Sequence, residues 1–472
     1  MGVGRGIGDT VRVPGRGMRR LVIVLVVLVA AAAIGGTVAL SAPALLAKFS
    51  SPAAAAPLPA PKLVLGPLSP TAPAPTSTAL ASTLEKPLDA IPGKVTGIVQ
   101  DAVTGSVLWD HTSERALVPG STGKLLTMAA ALLTLNPTDT FVTKAVAGPD
   151  AGTVVLVGGG DPTLTALPAG KEGVYNDPSR LTDLAKQVKA AAKTPITRVL
   201  VDTSRFTGPT MAPGWDPADI AGGDITPMEP LMLDGGRVDP TAQDGARVAK
   251  PALAAGKAFA ELLGVDSSTV DETTADPNAA ALGAVYSAPV TELVENTLRV
   301  SDNVLAESLA RQVAIVRGGE VSFAGAAKET VAALATAGID TSGMSMVDGS
   351  GLSTEDKVPS RVLGAVLAAA AAPTKDPHDV EFLRPILTGL PVAGGDGTLD
   401  DRFTTDGDAA SGRGVVRAKS GTLTDVSSLA GIVTDTDGRL LVFALMSNGA
   451  TPSEVRPRLD DVAAALSKCG CR

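Results

Sequence analysis

The chain has 472 residues, a formal net charge of −9 and only two histidines, His111 and His378. That length is too great for one ordinary core and enough for two or three domains. A 45% hydrophobic but only 3% aromatic composition means cores built from Ala, Val and Leu. The acidic balance argues against a nucleic-acid partner, and so few histidines favour lysine as a catalytic base over a His-based metal site.

Residues 1–20 carry Arg5, Arg12, Arg16, Arg19 and Arg20 against one acid, Asp9, and residues 21–40 follow without a charge. About 20 apolar residues at 1.5 Å each would cross roughly 30 Å of hydrocarbon. The basic flank should stay in the cytoplasm and the remainder outside. The apolar run is longer than the core of most signal peptides, which favours an uncleaved anchor over 21–41, although the small residues near Ser41 leave cleavage open. Residues 42–83 are rich in Pro, Ala and Ser and read as an extended stalk.

Folded structure is expected from about Leu84. KVTGIVQD and SVLWDH, within 94–111, read as two strands joined by a turn at Ala102 to Gly105. KLLTMAAALLTL (124–135) reads as a buried helix, and 300–318, 321–338 and 361–372 have helical composition. GVVRAKSG, SLAGIVTDTD and RLLVFALMSNG read as three strands, the last two joined by a turn ending at Gly438, before a final helix over 452–467. The first strands and the last can share one antiparallel sheet with helices on its faces. This gives a catalytic domain from 84–140 and 288–472, interrupted by an inserted domain over 141–287. The two cysteines, Cys469 and Cys471, are expected in a frayed tail.

Three short segments could carry chemistry. Ser121 and Lys124, three apart at a helix start, lie on one face a turn apart. A serine hydroxyl needs a base, and lysine serves as one only when burial or a nearby cation keeps it neutral. Taken alone, the pair reads equally as a helix cap and a solvated lysine. Ser301-Asp302-Asn303 can relay a proton and hold an amide, or simply cap a helix. Lys419-Ser420-Gly421-Thr422 sits in a strand where a glycine permits close backbone approach; its ammonium and hydroxyls could bind a carboxylate, and Lys419 could also help keep Lys124 neutral. S-x-x-K, S-D-N and K-T-G in that order is a known set of penicillin-binding proteins and class A β-lactamases. Here Ser420 replaces the threonine and keeps the hydroxyl. The Gly-rich blocks at Asp348–Gly351 and Gly394–Gly397 read as tight turns, and Asp161 as a turn or cap residue with a substrate amine as the alternative.

Beyond these motifs the chain resembles the D-alanyl-D-alanine carboxypeptidases and endopeptidases of the penicillin-binding protein type 4 group, the low-molecular-mass class C penicillin-binding proteins. VPGSTGKLLT, LRVSDNVLAESLA, VDGSGLS, PVAGGDGTLDDRF and AKSGTL carry the resemblance, with GGGDPTL, RFTGPTMAPGW and EPLMLDGG inside the insertion. It spans roughly residues 84 to 450. It implies an α+β fold of the penicillin-binding/β-lactamase-like type: a helix–antiparallel sheet–helix core with an inserted smaller domain. It also implies a peptidase acting on peptidoglycan stem peptides, trapped by β-lactams, with no metal or organic cofactor. The residue roles it implies are Ser121 as nucleophile, Lys124 as base and Ser301 as proton relay. Asn303 would hold the peptide amide and Lys419 set the electrostatics, with Ser420 and Thr422 at the terminal carboxylate, Gly421 in the same substrate-binding strand, and the N–H groups of Ser121 and Thr422 as oxyanion hole. About 175 residues between the first two motifs is short for a group that often carries two nested insertions, so one compact inserted domain is expected, or a second one much reduced. The competing readings are a β-lactamase-like hydrolase and a non-catalytic wall-binding scaffold.

Overall fold

Alternation of side chains decides the central sheet. In the computed structural model, which describes residues 71–373 and 381–470, the chain begins with helix α1 (Ser77–Asp89). Strands β1 (Lys94–Asp101), β2 (Val107–His111) and β3 (Ala116–Leu117) follow, then a 3₁₀ turn (Gly120–Gly123) that runs into α2 (Lys124–Thr134). Next come β4 (Val142–Ala147), β5 (Thr153–Val157), α3 (Leu181–Ala191), β6 (Arg198–Asp202), α4 (Ala218–Gly222), α5 (Pro251–Leu263), β7 (Asp271–Thr273) and β8 (Ala281–Tyr286). The chain continues through α6 (Val290–Val300), α7 (Asn303–Arg317), α8 (Phe323–Thr336), β9 (Val358–Pro359), α9 (Ser360–Ala371) and α10 (Arg384–Gly389). It closes with β10 (Arg417–Leu423), β11 (Val426–Thr434), β12 (Leu440–Asn448) and α11 (Pro452–Ser467).

The first sheet has the order β10-β11-β12-β1-β2, antiparallel throughout, so the first strands and the last do share one sheet. Successive residues of a strand face opposite ways. In β12, Leu441, Phe443 and Leu445 pack with Leu80 and Leu84 of α1 and with Val455, Leu459 and Val462 of α11. Val442, Ala444 and Met446 point to the other side, against helices that include α2, α6, α7 and α9. A helix–sheet–helix sandwich is the result. Helix α2 lies inside it, with Lys124 to Leu132 all buried, because a helix apolar on every face can only be a core helix.

The expected linker over 42–83 ends sooner than its composition suggests. The Thr76 side chain accepts a hydrogen bond from Ala79 N–H and caps α1, whose Leu80 and Leu84 are a turn apart and fully buried. Burying two leucines contributes about 1.5–3 kcal/mol each towards ordering this Pro-flanked segment. The frayed tail expected at the other end is corrected for Cys469, which is 2% exposed, packs in the core beneath α11 and is disulfide-bonded; Cys471 lies outside the described residues. Among the described residues no helix is long and apolar enough to cross a membrane, and the anchor expected at 21–41 lies outside them.

A second sheet, ordered β7-β6-β5-β4-β8, is built from residues 142–286. Its core sets Val154, Leu156, Val199 and Val201 against Leu184 and Val188 of α3 and Phe259 of α5. The long connection between β6 and α5 contains only the short helix α4 and a single 3₁₀ turn. Its apolar residues Ala212, Trp215, Ile225, Met228 and Met232 pack with Val304 of α7 and Phe323 of α8. This connection is therefore pressed onto the helix that begins at Asn303.

Candidate active site

Ser121 lies in the 3₁₀ turn and is half-buried, while Lys124 is the first residue of α2 and wholly buried. The expected one-turn spacing brings Lys124 Nζ to 2.9 Å from Ser121 Oγ. The same nitrogen lies 2.5 Å from Asn303 Oδ1 and 2.8 Å from the Ser350 carbonyl oxygen. Residues 179 and 226 positions away thus converge on one amine.

Ser301-Asp302-Asn303 is a helix junction in which each residue takes a different job. Ser301 ends α6 in a left-handed conformation (φ 61°), and Asp302 caps α7 by accepting Leu305 N–H. The cap expected of this motif is therefore its middle residue, which leaves Ser301 and Asn303, both half-buried, free of that role. Asn303 Nδ2 donates to the Asp224 carbonyl in the connection after α4. Asp302 is gripped from the same inserted stretch: Tyr175 donates its hydroxyl at 2.8 Å and Arg237 Nη2 at 3.2 Å. Burial alone would raise the Asp302 pKa, but Arg237 and Arg247 outweigh it and hold the carboxyl down to about 2.

The third segment forms β10, at the edge of the first sheet. Its beginning is covered, since Val392 bridges Arg417 and Ala418 N–H donates to Pro391. Gly421 faces the 3₁₀ turn so closely that an added Cβ would stand 2.9 Å from Ser121 N and 2.7 Å from the Pro119 carbonyl oxygen, so no other residue fits. A Cβ on Gly120 would likewise meet Thr422 N at 3.3 Å. The backbones carrying Ser121 and Thr422 are therefore adjacent. Lys419 is buried with its Nζ 2.7 Å from the Ser420 carbonyl oxygen, and Ser420 Oγ lies 3.0 Å from Thr398 Oγ1.

Three participants were not singled out by sequence reasoning: the Ser350 carbonyl, Glu307 and Thr398. The two Gly-rich blocks are the tight turns expected of them; the first carries Ser350 and the second leads into Thr398, while Glu307 comes from α7. Asp348 accepts from the N–H groups of Ser350, Gly351 and Ser353 and from Trp215 Nε1, folding the turn that aims Ser350 at Lys124. Gly351 (φ 74°) is required there, because a Cβ would come within 2.1 Å of the Gly120 carbonyl oxygen. Asp161 is a turn residue, satisfied by Thr163 and Ser179 and only 1% exposed, so the alternative of a substrate-facing carboxylate is not met.

The electrostatics of the two lysines differ. Burial pushes Lys124 down to about 8, opposed by the carboxylates of Asp348, Asp302 and Glu307. Burial also drives Lys419 well below its ordinary value, and here the neighbouring charges of Lys124 and Arg402 push the same way. The sequence argument had Lys419 helping to neutralise Lys124. Repulsion between two ammonium groups is reciprocal, so each lysine when charged disfavours the charge of the other, on top of the burial that both share.

The fold is shared with penicillin-binding protein 4 (dacB) of Haemophilus influenzae, which superposes with a TM-score of 0.64 at 21% identity, over 81% of this chain and 98% of that one. In sequence the chain is 46% identical to carboxypeptidase DacB of Mycolicibacterium smegmatis, over 86% of this chain and 87% of the relative. It is 45% identical to a carboxypeptidase of Mycobacterium tuberculosis, over 80% and 81%. The D-Ala-D-Ala carboxypeptidase 3 (S13) family matches residues 76–246 and 241–468, which together hold every segment that meets at Lys124. With nearly all of the described chain matched and two relatives above 40% identity, this protein belongs to the S13 family of D-Ala-D-Ala carboxypeptidases.

Proposed function

We propose that Ser121 is the nucleophile and Lys124 the base of a serine-type D-Ala-D-Ala carboxypeptidase or endopeptidase acting on peptidoglycan stem peptides. One observation carries this assignment: the three partners of Lys124 Nζ. A neutral amine has two N–H donors and one lone pair. The Asn303 amide oxygen and the Ser350 carbonyl can only accept, and they take both donors. The lone pair is then left to the third partner, so Ser121 must donate its O–H to nitrogen. Deprotonated Lys124 is thus aligned to remove the serine proton.

In acylation, Ser121 Oγ attacks the carbonyl of the penultimate D-alanine and its proton passes to Lys124. The N–H groups of Ser121 and Thr422, on adjacent backbones, would hold the oxyanion. The C–N bond breaks, and Ser301 relays a proton to the departing amine. Asn303 holds the peptide amide, exchanging its contact with the Asp224 carbonyl for the substrate. The open edge at Lys419–Leu423 can pair with an extended peptide, with Lys419, Ser420 and Thr422 at the terminal carboxylate. Water then attacks the acyl ester, releasing the shortened peptide and the free serine. A β-lactam would acylate the same oxygen. Carboxypeptidase and endopeptidase activity share these steps and differ in the leaving group.

Stem peptides lie outside the cytoplasm, so the catalytic body acts there. The Arg-flanked apolar run at 21–41 supports a single-pass tether and the Pro/Ala-rich stretch after it a spacer. The test is labelling of the full chain with a fluorescent penicillin. Stoichiometric label that is lost in Ser121→Ala is expected. Rapid turnover of nitrocefin would favour a β-lactamase, and failure of the wild type to label would favour a non-catalytic scaffold.

A further inference from the structure

Helix α7 delivers more to Lys124 than Asn303. Positions four apart on a helix share a face, and along this face lie Asn303, Glu307 and Arg311. Glu307 is fully buried, and its Oε1 accepts from both Gly349 N–H and Ser350 N–H at 2.8 Å. Its Oε2 is held 3.3 Å from Arg311 Nη1, and the Arg311 guanidinium stacks 4.0 Å from the Phe323 ring centroid. The carboxylate is therefore fixed on one side by a cation and bound on the other to two successive peptides. Those peptides lead to the Ser350 carbonyl, one of the two acceptors that take the N–H donors of Lys124.

We propose that Glu307 is a positioning residue for the reaction: by clamping the Gly349 and Ser350 amides it fixes the Ser350 carbonyl against Lys124 and thereby turns the lysine lone pair towards Ser121. Without the clamp, the Ser350 carbonyl is held only through its own peptide, by Asp348 on the Gly351 N–H at 2.7 Å, so it can shift from Lys124, and a freed N–H can turn to Ser121 in place of the lone pair. The inference rests on Lys124 being the base. The turn has a second anchor from α2, since Thr127 Oγ1 donates to the Gly349 carbonyl at 2.6 Å. Asp348 shares the Ser350 N–H at 3.1 Å. The charged groups acting on Glu307 or on Lys124 are Asp302, Asp348, Arg311, Lys419 and each other, and Asp356 lies in the same acidic group against Asp348.

The experiment measures the penicillin acylation rate of the full chain against pH for the wild type, Glu307→Ala, Glu307→Gln, Thr127→Val and Lys124→Ala. Misplacing a catalytic group by an ångström can cost up to about 10²-fold, so Glu307→Ala is expected to lower the plateau by about 10-fold or more. Glu307→Gln retains an acceptor oxygen for the two amides. It should keep a plateau well above that of Glu307→Ala. Its rising limb should shift to lower pH, because a negative charge that favours the Lys124 ammonium is gone. Thr127→Val changes no charge, so it should lower the plateau a few-fold and leave the midpoint in place. A folded Glu307→Ala with a wild-type plateau overturns the proposal. If that variant does not fold, wild-type plateaus and midpoints in both Thr127→Val and Glu307→Gln overturn it. Wild-type acylation by Lys124→Ala would instead remove the base assignment beneath it. Loss in Lys124→Ala with no change at Glu307 or Thr127 would sink the positioning role alone.

Discussion

Lys124 and Lys419 are the same side chain, equally buried, in walls of opposite character. Around Lys124 stand Asp302, Glu307 and Asp348, whose charges restrain the effect of burial and leave the amine near 8. The charges acting on Lys419 are the cations Lys124 and Arg402, so nothing offsets its burial and it falls further. A base must reach its neutral form near working pH without being fixed in it, and the carboxylate wall sets Lys124 in that range. A carboxylate-binding group has a different requirement: a substrate carboxylate would bring to Lys419 the negative charge that its wall does not supply. The contrast is what the proposed roles, a proton-transfer lysine and a binding lysine, would require of the two environments.

The largest effect should come from removing the base. Lys124→Ala is expected to cut acylation by about 10²-fold or more, the range for losing a general base, read by the rate of penicillin labelling. If Lys124 is the base, the wild-type rate should rise with pH through a midpoint near 8, because deprotonation supplies the neutral amine. A profile that is flat from pH 6 to 9 would erase the distinction between the two lysines.

The next test concerns Lys419. If it is neutral before binding and charged opposite a carboxylate, binding takes up a proton. Affinity for a peptide ending in D-Ala-D-Ala should then fall as pH rises, by at most about tenfold per pH unit for one proton. Non-acylating Ser121→Ala allows this to be measured by calorimetry in buffers of different ionisation enthalpy. A peptide with an amidated C-terminus should show no such uptake. Equal uptake by both peptides would place the titrating group elsewhere.

How much of this was legible beforehand follows from which atoms do the work. Ser121, Lys124, Asn303 and Lys419 are side chains in short contiguous motifs, so type and spacing expose them. The Ser350 contact is made by a backbone carbonyl, and any residue type could supply it. Glu307 lies one turn beyond Asn303 on a helical pattern that was recognised, yet a Glu among apolar residues gives no sign of being buried until its partners at 349 and 350 are placed. Tyr175 and Arg237 are 127 and 65 residues from Asp302 and meet it only after the insertion folds back. The strands were readable because one face and the other alternate, whereas α1 was hidden by the Pro and Ala around it, despite Leu80 and Leu84 at helical spacing.

Asp302 gives the next, smaller change in rate. Asp302→Asn removes one of the carboxylates that restrain Lys124, so the rising limb of acylation should shift to lower pH. It also strands Arg237 beside a neutral group. Breaking a buried pair this way typically costs about 3–5 kcal/mol, and both side chains are at most 1% exposed. Stability should respond to pH as well. The carboxyl sits near 2 in the folded protein against an ordinary value of 3.8, so its contribution is fully present above about pH 4 and fades as pH falls towards 2. Acid unfolding of the wild type should show that loss and the Asn variant should not. An Asn variant with an unmoved limb would mean that Asp302 serves only as a cap and a tie to the insertion.

The smallest expected effect lies on the Lys419 side. Thr398 Oγ1 is 3.0 Å from Ser420 Oγ and reaches it from the Gly397–Leu399 turn, whose Gly397 carries φ 58°. Thr398→Val keeps the shape and removes the hydroxyl, so Ser420 loses one orienting partner while the Lys124 group is untouched. A net hydrogen bond contributes about 0.5–1.5 kcal/mol, which corresponds to a rise in KM of about 2- to 12-fold for a carboxylate-ended peptide. The midpoint of the acylation profile should stay where it is. A fall in the plateau rate with KM unchanged would instead tie Ser420 to the chemical step, and the division into a reacting side and a binding side would have to be redrawn around it.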